Sequence, residues 1–422
     1  MKKVLVLAHL GLASPRIIGL AKYLSLYGWE ATILTPRMSA YQKKMFLFPD
    51  CKNIEIIETP QFEMRYGRES PNINTINFCS RIMNSLKYRI NKNFINRYIH
   101  VPDPQRIWMF HAIREVNRLF EVRNYSALLS SSSPASYHMI SAKLKDIYRI
   151  PWIADYRDLW TQNHNYLYGS IRRYFERKLE RKTLENSDAL ITVSPQWVQK
   201  LKTFHRKSKV NLITNGFDAI DAQLSHSPND KFIISYTGRI YSNRQDCSKI
   251  IVAIDELIQR KLIDKDSIEF RYYGPTKTVI ESFIQHNSKL SSVNWISLND
   301  SVTRQQSYEI QRSSNILVLF NWEDVEEKGV VPSKIFEYLG ARKPIIATGG
   351  FGSDYVEEIL LKTRGGYYCK NVREIKDTIL RLRGEFNDTE SSVTLLENEK
   401  IKSYSYEFLS GRLANLLNEL TQ

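Results

Sequence analysis

Short apolar runs and segments of helical periodicity alternate along most of this chain. The first apolar run, at 4–8, is followed by a loop of small residues at 9–14 and by a segment at 15–27 whose apolar side chains recur every three or four residues. Gly28 ends that segment, and a second apolar run follows at 31–34. This order of strand, helix and strand predicts a parallel βαβ unit, because parallel strands need a crossover connection.

The same alternation continues through the sequence and predicts an α/β fold. Further strands are predicted at 127–130, 152–155, 189–193, 210–214, 232–237, 267–273, 293–296, 316–320 and 344–347. Longer helices are predicted at 105–120, 170–185, 246–260, 372–383 and 404–420. Residues 36–110 interrupt this rhythm.

A chain of 422 residues is too long for one ordinary domain, and we expect two. The segment 217–230 is polar and has no clear periodicity, so it is predicted to be a linker. It separates a first domain at 1–216, with a basic insertion at about 62–110, from a second domain at 231–403. A final helix is predicted within 404–422.

The composition narrows the class of protein. Hydrophobic residues make up 42% of the chain and aromatic residues 12%, which is typical of a globular protein. The net charge of +15 indicates an anionic partner such as a nucleotide, an acidic lipid surface or a nucleic acid. The four cysteines form no Cys-x-x-Cys pair, which argues against a zinc site. Neither a signal peptide nor a spanning helix is predicted, so we expect a cytoplasmic protein.

The stretch GVVPSKIFEYLGARKPIIATGG, at 329–350, predicts a loop, a short helix, a turn and a buried strand. Pro332 can open the helix, because the first turn needs no backbone N–H there. Gly340 is expected to end the helix, since glycine is the common residue after a last turn.

Three polar residues at the start of this helix predict a ligand-binding site. Ser333 and Lys334 fall in the first turn, where free backbone N–H groups and the positive end of the dipole suit a phosphate. Glu337 lies about one turn later, where its carboxylate can accept hydrogen bonds from hydroxyl groups such as a ribose diol. An ordinary helix with a solvated glutamate is the alternative interpretation.

This stretch resembles the donor-site signature of retaining nucleotide-sugar glycosyltransferases of family four, which have the GT-B architecture. The resemblance rests on FEYLGARKPIIA, in which Glu337 matches the glutamate that contacts the nucleotide. Many members carry an earlier glutamate that touches the donor sugar, and Gly329 stands in that register here. Glu326 and Glu327 are close to it but out of register.

Other blocks resemble the same family in the same order. The loop after the first strand loosely matches the family's loop at the cleft through Gly11, Ser14 and Arg16. The sequence ADYRDLW is similar to an Asp-x-Arg-Asp-x-Trp block of a bacterial subgroup, and the resemblance implies acceptor or catalytic roles for Asp155, Arg157 and Asp158. A structural Asp–Arg pair that ties loops together is the alternative.

A third block resembles the family's grip on the donor pyrophosphate. It consists of Gly238 and Arg239 at a strand end and of Arg244 in the loop that follows. Gly274, at the end of the next strand, is placed with the donor-binding residues, as is Pro332. Guanidinium groups suit this task because they bind phosphate oxygens in pairs.

The resemblance implies two facing Rossmann-like domains with a cleft between them and a C-terminal helix that crosses back to the first domain. It implies transfer of a sugar from a nucleoside-diphosphate sugar to a cell-envelope glycan, such as lipopolysaccharide or capsule, or to a lipid-linked acceptor. Retention of configuration, no cofactor and no metal are expected. A nucleotide-sugar epimerase of the same architecture and a non-catalytic basic scaffold remain alternatives.

The basic residues between Arg81 and Arg97 predict a second kind of contact. This segment carries Arg81, Lys87, Arg89, Lys92 and Arg97 without an acid and with apolar residues interleaved. Such a composition suits peripheral binding to an anionic membrane, which would place the protein at the inner face of the cell membrane. A solvated basic helix face is an equal alternative, and no nucleic-acid partner is expected.

Overall fold

The computed structural model describes residues 1–12, 15–46, 54–60, 100–164, 166, 168–218, 231–288, 290, 293–324, 327, 329–350, 352, 354–389 and 399–422. The basic segment 81–97, Ser14 and most of the predicted linker lie outside the described residues.

The first domain is built on a seven-stranded parallel sheet with the order β3-β2-β1-β4-β5-β6-β7. Its strands are β1 (Lys2–Leu7), β2 (Trp29–Pro36), β3 (Glu55–Thr59), β4 (Ala127–Ser132), β5 (Trp152–Tyr156), β6 (Ala189–Thr192) and β7 (Val210–Leu212). The strand order reverses between β1 and β4. In open parallel sheets the crevice at the carboxyl ends of the strands on either side of such a reversal is where ligands bind.

The helices of the first domain cover both faces of this sheet. They are α1 (Pro15–Tyr23), α2 (Ala40–Phe46), α3 (Met109–Val122), α4 (Ser136–Tyr148), α5 (Gly169–Leu184) and α6 (Pro195–Phe204). Asp103 caps a short 3-10 turn before α3, and the Ser194 side chain caps α6 by accepting from the Trp197 backbone N–H at 3.3 Å.

The second domain repeats the plan with a six-stranded parallel sheet in the order β10-β9-β8-β11-β12-β13. Its strands are β8 (Phe232–Thr237), β9 (Ile268–Tyr273), β10 (Ile296–Asn299), β11 (Ile316–Phe320), β12 (Ile345–Thr348) and β13 (Gly366–Cys369). Its helices are α7 (Ser248–Gln259), α8 (Lys277–His286), α9 (Arg304–Ser313), α10 (Lys334–Ala341), α11 (Tyr355–Thr363), α12 (Val372–Thr389) and α13 (Glu399–Lys402). The order reverses between β8 and β11.

The central strands are buried on both faces, which explains why they read as uninterrupted apolar runs. Every residue of β4, β5, β8 and β11 is buried. Among the described residues, no helix combines the length and the apolar character that a membrane span requires.

The last helix, α14 (Tyr406–Leu420), leaves the second domain and packs on α1, as the sequence predicted. Tyr406, Leu409 and Leu413 belong to the same buried cluster as Val4 and Val6 of β1. A Cβ built on Gly19 would lie 2.3 Å from Cδ2 of Tyr406, so glycine is required where the two helices meet. The Ser410 hydroxyl donates to the backbone oxygen of Leu20 at 2.7 Å.

The chain passes between the domains twice, and the two passages lie side by side. Phe217 pairs with Ser405 in a parallel β-bridge, and the Tyr406 backbone N–H donates to the oxygen of Phe217 at 2.8 Å. The Asn-Gly sequence at 215–216 is typical of a turn, but the structure shows no turn at 215–218 and pairs Phe217 with Ser405 instead.

Candidate functional site

The carboxyl ends of β8 and β9 meet the start of α10, and two predicted glycines allow this close approach. Gly238 has φ of 151°, and a Cβ built there would lie 3.2 Å from Cε of Lys334. A Cβ on Gly274 would lie 2.1 Å from the backbone oxygen of Gly238. Three predicted donor-site residues from separate parts of the chain are therefore neighbours.

Arg239 follows Gly238 and is exposed at the mouth of this edge. Its backbone oxygen accepts from the Tyr236 hydroxyl at 2.7 Å, which fixes the chain where it leaves β8. The backbone that bears the Arg239 guanidinium is therefore fixed, while the side chain is exposed and can contact an anion.

Glu337 lies one turn into α10 and is held by groups from two helices. Its Oε2 accepts from Nζ of Lys334 at 2.7 Å and from Nε2 of Gln311 at 3.4 Å. Burial alone would raise the pKa of Glu337, but the charges of Lys334 and Arg304 and these hydrogen bonds outweigh it and lower the pKa. The carboxylate is therefore ionised at neutral pH.

The second oxygen of this carboxylate is available to a ligand. Oε1 of Glu337 accepts no hydrogen bond from the residues that the structure describes, and the side chain keeps 12% of its surface exposed. Gln311 was not predicted from the sequence; it also donates to Oγ1 of Thr237 at 2.8 Å and so ties Glu337 to the end of β8. Its position on α9 carries no sequence signal.

Helix α10 begins beside the residues that were predicted to open it. Ser333 takes the N-cap position, but its side chain makes no capping hydrogen bond, and Pro332 precedes it. The helix continues past Gly340, which corrects the predicted stop: it ends at Ala341, and Arg342 adopts the left-handed conformation with φ of 56°. Gly340 serves close packing instead, since a Cβ there would lie 2.7 Å from the Phe217 ring.

Arg244 contacts a protein carboxylate. Its Nη1 lies 2.7 Å from Oε1 of Glu327, whose other oxygen lies 2.5 Å from Nε2 of His164 in the first domain. Glu327 is 1% exposed, so one buried carboxylate joins both domains. Nothing in the sequence signals the pairing of His164 with Glu327, because the two residues are far apart along the chain.

Gly329 occupies the register at which the resembling family carries its earlier glutamate. It has φ of 96°, and a Cβ there would lie 2.7 Å from Cβ of Gln196 on α6. Its backbone oxygen accepts from the Ser194 hydroxyl at 2.7 Å. This position therefore serves contact between the domains, and a side chain would disrupt that contact.

Asp155 lies at the end of β5, at the predicted edge of the sheet, but inside the protein. Both of its oxygens accept from the Arg16 guanidinium, at 2.9–3.1 Å, and Oδ2 also accepts from Ser131. Asp155 and Arg16 are both 0% exposed. This corrects the expectation that Asp155 touches an acceptor, because its carboxylate is enclosed by the protein. The carboxylate of Asp155 holds Arg16 instead, and Arg16 also donates to the backbone oxygen of Thr214 at 2.6 Å.

Arg157 and Asp158 lie nearer the surface and contact each other at 3.0 Å. Arg157 also donates to the backbone oxygen of Ser133 at 3.1 Å, and Asp158 keeps 40% of its side chain exposed. Of the predicted acceptor-side residues, Asp158 is the carboxylate that a ligand can reach.

The loop after β1 approaches these residues. The Gly11 backbone oxygen accepts from the Gln42 side chain at 3.0 Å, and a Cβ on Gly11 would lie 2.6 Å from that amide nitrogen. Burial lowers the pKa of His9 to about 4, with a smaller contribution from the charge of Arg157, so the imidazole is neutral at pH 7. Ser14 lies outside the described residues.

Within the described part of the chain, no three His, Cys, Asp or Glu side chains come together as metal ligands would. Asp264 of the Asp-Lys-Asp sequence accepts from the Asp266 backbone N–H in a short turn. The expectation of a reaction without metal remains a prediction.

Comparison with known proteins agrees with this architecture. Residues 74–220 match the Glycosyltransferase Family 4 profile. A search of curated protein sequences found no match.

Solved structures match over nearly the whole chain. Sucrose-phosphate synthase from Thermosynechococcus elongatus is 14% identical, with a TM-score of 0.61 and coverage of 100% of this chain and 99% of that one. A glycosyltransferase from Rickettsia africae is 14% identical, with a TM-score of 0.58 and coverage of 100% and 99%. HepE from Anabaena, in complex with UDP and glucose, is 12% identical, with a TM-score of 0.56 and coverage of 100% and 98%.

These likenesses extend over both domains and the cleft, whereas the sequence match lies in the first domain. The chain therefore has the GT-B fold of two parallel-sheet α/β domains, and its first domain is similar in sequence to Glycosyltransferase Family 4.

Proposed function

We propose that this protein is a glycosyltransferase that moves a sugar from a nucleoside-diphosphate sugar to a cell-envelope glycan or a lipid-linked acceptor. The observation that carries the proposal is the convergence of Gly238, Arg239, Lys334 and Glu337 at one edge of the second sheet. This edge offers cations for a diphosphate and a carboxylate oxygen for a sugar hydroxyl. Both chemistries are needed to hold a nucleotide sugar.

The donor would lie with its diphosphate against Arg239, Lys334 and the start of α10. Charge on the leaving diphosphate grows during transfer, and fixed cations stabilise it without rearranging. Metal independence is part of the proposal for this reason. The Anabaena protein, whose structures contain UDP and UDP-glucose, supports a uridine nucleotide as the first donor to test.

The acceptor would enter from the first domain, between the loop after β1 and the β5 end. Asp158 and neutral His9 are the polar groups there that can orient an acceptor hydroxyl. Retention of configuration is proposed from the family resemblance. The high positive charge favours an envelope acceptor at the inner face of an anionic membrane.

Ligand binding and product formation test separate parts of this proposal. Thermal shift with UDP, GDP and ADP should show saturable stabilisation by one of them, since a ligand at 100 times its Kd adds about 2.7 kcal/mol. The protein should then be incubated with an extract of lipid-linked acceptors and with each nucleotide sugar of a panel in turn. Mass spectrometry should show one hexose added to an acceptor. Conversion of the donor to an isomer without transfer would instead identify an epimerase, and no nucleotide stabilisation would refute the donor site.

A further inference from the structure

Helix α5 buries three of its charged residues and exposes three of its large apolar or aromatic ones, which is unusual for a surface helix. Arg172, Glu176 and Glu180 are buried. Ile171 is 77% exposed, while Phe175 is 64% exposed. Folding of the domain does not explain such an arrangement, because exposed apolar side chains contribute nothing to its core.

The buried face of α5 is fixed by hydrogen bonds that prevent the helix from turning its apolar residues inward. Glu176 accepts from Nε1 of Trp160 at 2.9 Å and from Nε of Arg172 at 2.5 Å. Arg172 donates in turn to the backbone oxygens of His100 and Pro102, each at 2.9 Å. Glu180 accepts from the Tyr156 hydroxyl at 2.9 Å.

The exposed side chains form a single stripe, which we call the α5 face. It consists of Ile171, Tyr174, Phe175, Lys178 and Lys182. The spacing of three, four, seven and eleven residues from Ile171 places them on one side of a helix. The stripe is apolar in its first half and basic in its second half, and Nζ of Lys178 lies 4.5 Å from the centre of the Tyr174 ring.

Most of the charge beside this stripe is positive. Arg177 and Arg181 are also exposed, with their guanidinium groups 5.0 Å and 4.5 Å from the centre of the Phe204 ring. Both acids of the helix, Glu176 and Glu180, are buried and accept hydrogen bonds from other side chains. Between Gly169 and Leu184 the exposed surface of α5 therefore presents four cations and no anion, and the exposed Glu185 follows at the C-cap.

An apolar pocket of about 470 Å³ opens at the first turn of the helix. Val101, Tyr168, Ile171 and Phe175 supply its apolar lining, and the paired Arg172 and Glu176 also border it. Its size and its lining suit the end of an acyl chain rather than a polar ligand.

We propose that the α5 face docks on an anionic lipid bilayer, with its apolar first turns in the acyl boundary and its cations at the phosphates. A bilayer surface offers apolar depth and negative charge together, as this stripe requires. Lysine side chains reach the phosphates while their stems remain in apolar surroundings. The 81–97 segment is a separate candidate and is not part of this surface.

Docking at this face would bring the cleft close to the membrane. α5 begins five residues after His164, which bridges to Glu327 of the second domain. A lipid-linked acceptor would then meet the cleft at the bilayer surface. This consequence rests on the proposed function, whereas lipid binding by the α5 face does not.

Vesicle sedimentation with the full chain tests the proposal. Wild type should bind phosphatidylcholine vesicles with about 30 mol% phosphatidylglycerol, should bind pure phosphatidylcholine weakly, and should be released by salt. Replacing Lys178 and Lys182 by Gln should lower partitioning roughly 25-fold, since each cation raises it about fivefold. Ile171→Ser with Phe175→Ser should lower it by a similar factor, with a melting temperature equal to that of wild type.

The control is Leu361→Ser with Arg373→Gln, which changes one exposed apolar residue and one exposed cation of the second domain. It should bind as wild type does. Binding that survives both α5 variants but is lost when Lys87, Arg89 and Lys92 become Gln would overturn the proposal in favour of the 81–97 segment. Concentration-dependent dimerisation abolished by Phe175→Ser, without vesicle binding, would assign the face to a second copy instead.

Discussion

Glu337→Gln is the sharpest test of the donor site, because it removes a charge while keeping the size of the side chain. The structure leaves Oε1 of this carboxylate open, whereas Oε2 is held by Lys334 at 2.7 Å and Gln311 at 3.4 Å. The substitution therefore affects two things: the acceptor that a ribose diol would use, and the counter-charge of Lys334.

The magnitude follows from these contacts. Hydrogen bonds to a charged acceptor contribute about 1.5–3 kcal/mol, and an amide oxygen retains part of that, so donor binding should weaken by roughly 1–3 kcal/mol. This corresponds to an increase in Kd of about 5- to 150-fold. Lys334 loses its partner and should attract a diphosphate more strongly, which offsets part of the loss. A nucleoside without phosphates should therefore show a larger loss than the diphosphate.

Titration calorimetry with ribose, 2′-deoxy and 3′-deoxy donors separates these effects. Deoxy donors should bind wild type poorly and should lose little more on Glu337→Gln, since their contact is already missing. Glu309→Gln on α9 is the matched control, because Glu309 is exposed and should leave all the Kd values unchanged. Equal weakening of normal and deoxy donors would mean that Glu337 holds the helix rather than the ribose, and would remove the main support of the donor site.

Three further predictions follow from the two domains. Arg239→Ala should weaken nucleoside diphosphates by about 1.5–3 kcal/mol and leave nucleosides unchanged, because a charge-assisted contact is lost; equal losses in calorimetry would refute the phosphate role. Asp158→Asn should lower turnover at unchanged donor affinity. Asp155→Asn should instead lower the free energy of unfolding by about 3–5 kcal/mol, since it leaves Arg16 buried without its counter-charge. Wild-type kinetics and wild-type stability in both variants would contradict this assignment of roles. Burial, with the charge of His205, lowers the pKa of His138 to about 3, so its contribution to stability is complete above its unfolded pKa of 6.5 and is lost as pH falls towards 3. Wild type should lose roughly 2 kcal/mol more than His138→Gln between about pH 7.5 and about pH 5, measured by urea unfolding, and parallel pH profiles would refute it.

The sequence predicted the central strands well, because they are buried on both faces and read as apolar runs. It missed β3, which is a short edge strand with two glutamates and only partial burial. It placed a strand at 293–296, whereas β10 begins at Ile296, since pairing with β9 starts there and Trp295 packs in the core before it. Pairing register depends on the neighbouring strand, which a local pattern does not include.

Some residues of the candidate site could be predicted from the sequence, whereas others could not. Lys334, Glu337 and Gly238 were placed from local motifs, and the structure brings them together. The burial of Asp155 could not be predicted, because its partner Arg16 lies 139 positions away in the sequence. The contact between His164 and Glu327 could not be predicted either, because these two residues are also far apart along the chain. Chemistry within a helical turn is visible in a sequence, whereas ion pairs between distant segments are not.

The return of α14 to the first domain also affects the order in which this protein can fold during synthesis. Tyr406, Leu409, Leu413 and Leu417 complete the buried cluster around α1, yet the ribosome makes them after the whole second domain. At about 5–20 residues per second, the first domain waits on the order of 10–40 s between the synthesis of Asp218 and that of Leu417. During this interval the apolar side of α1 that packs on α14 lacks its partner. Grafting a donor domain from a relative would require moving the final helix with the first domain rather than with the second.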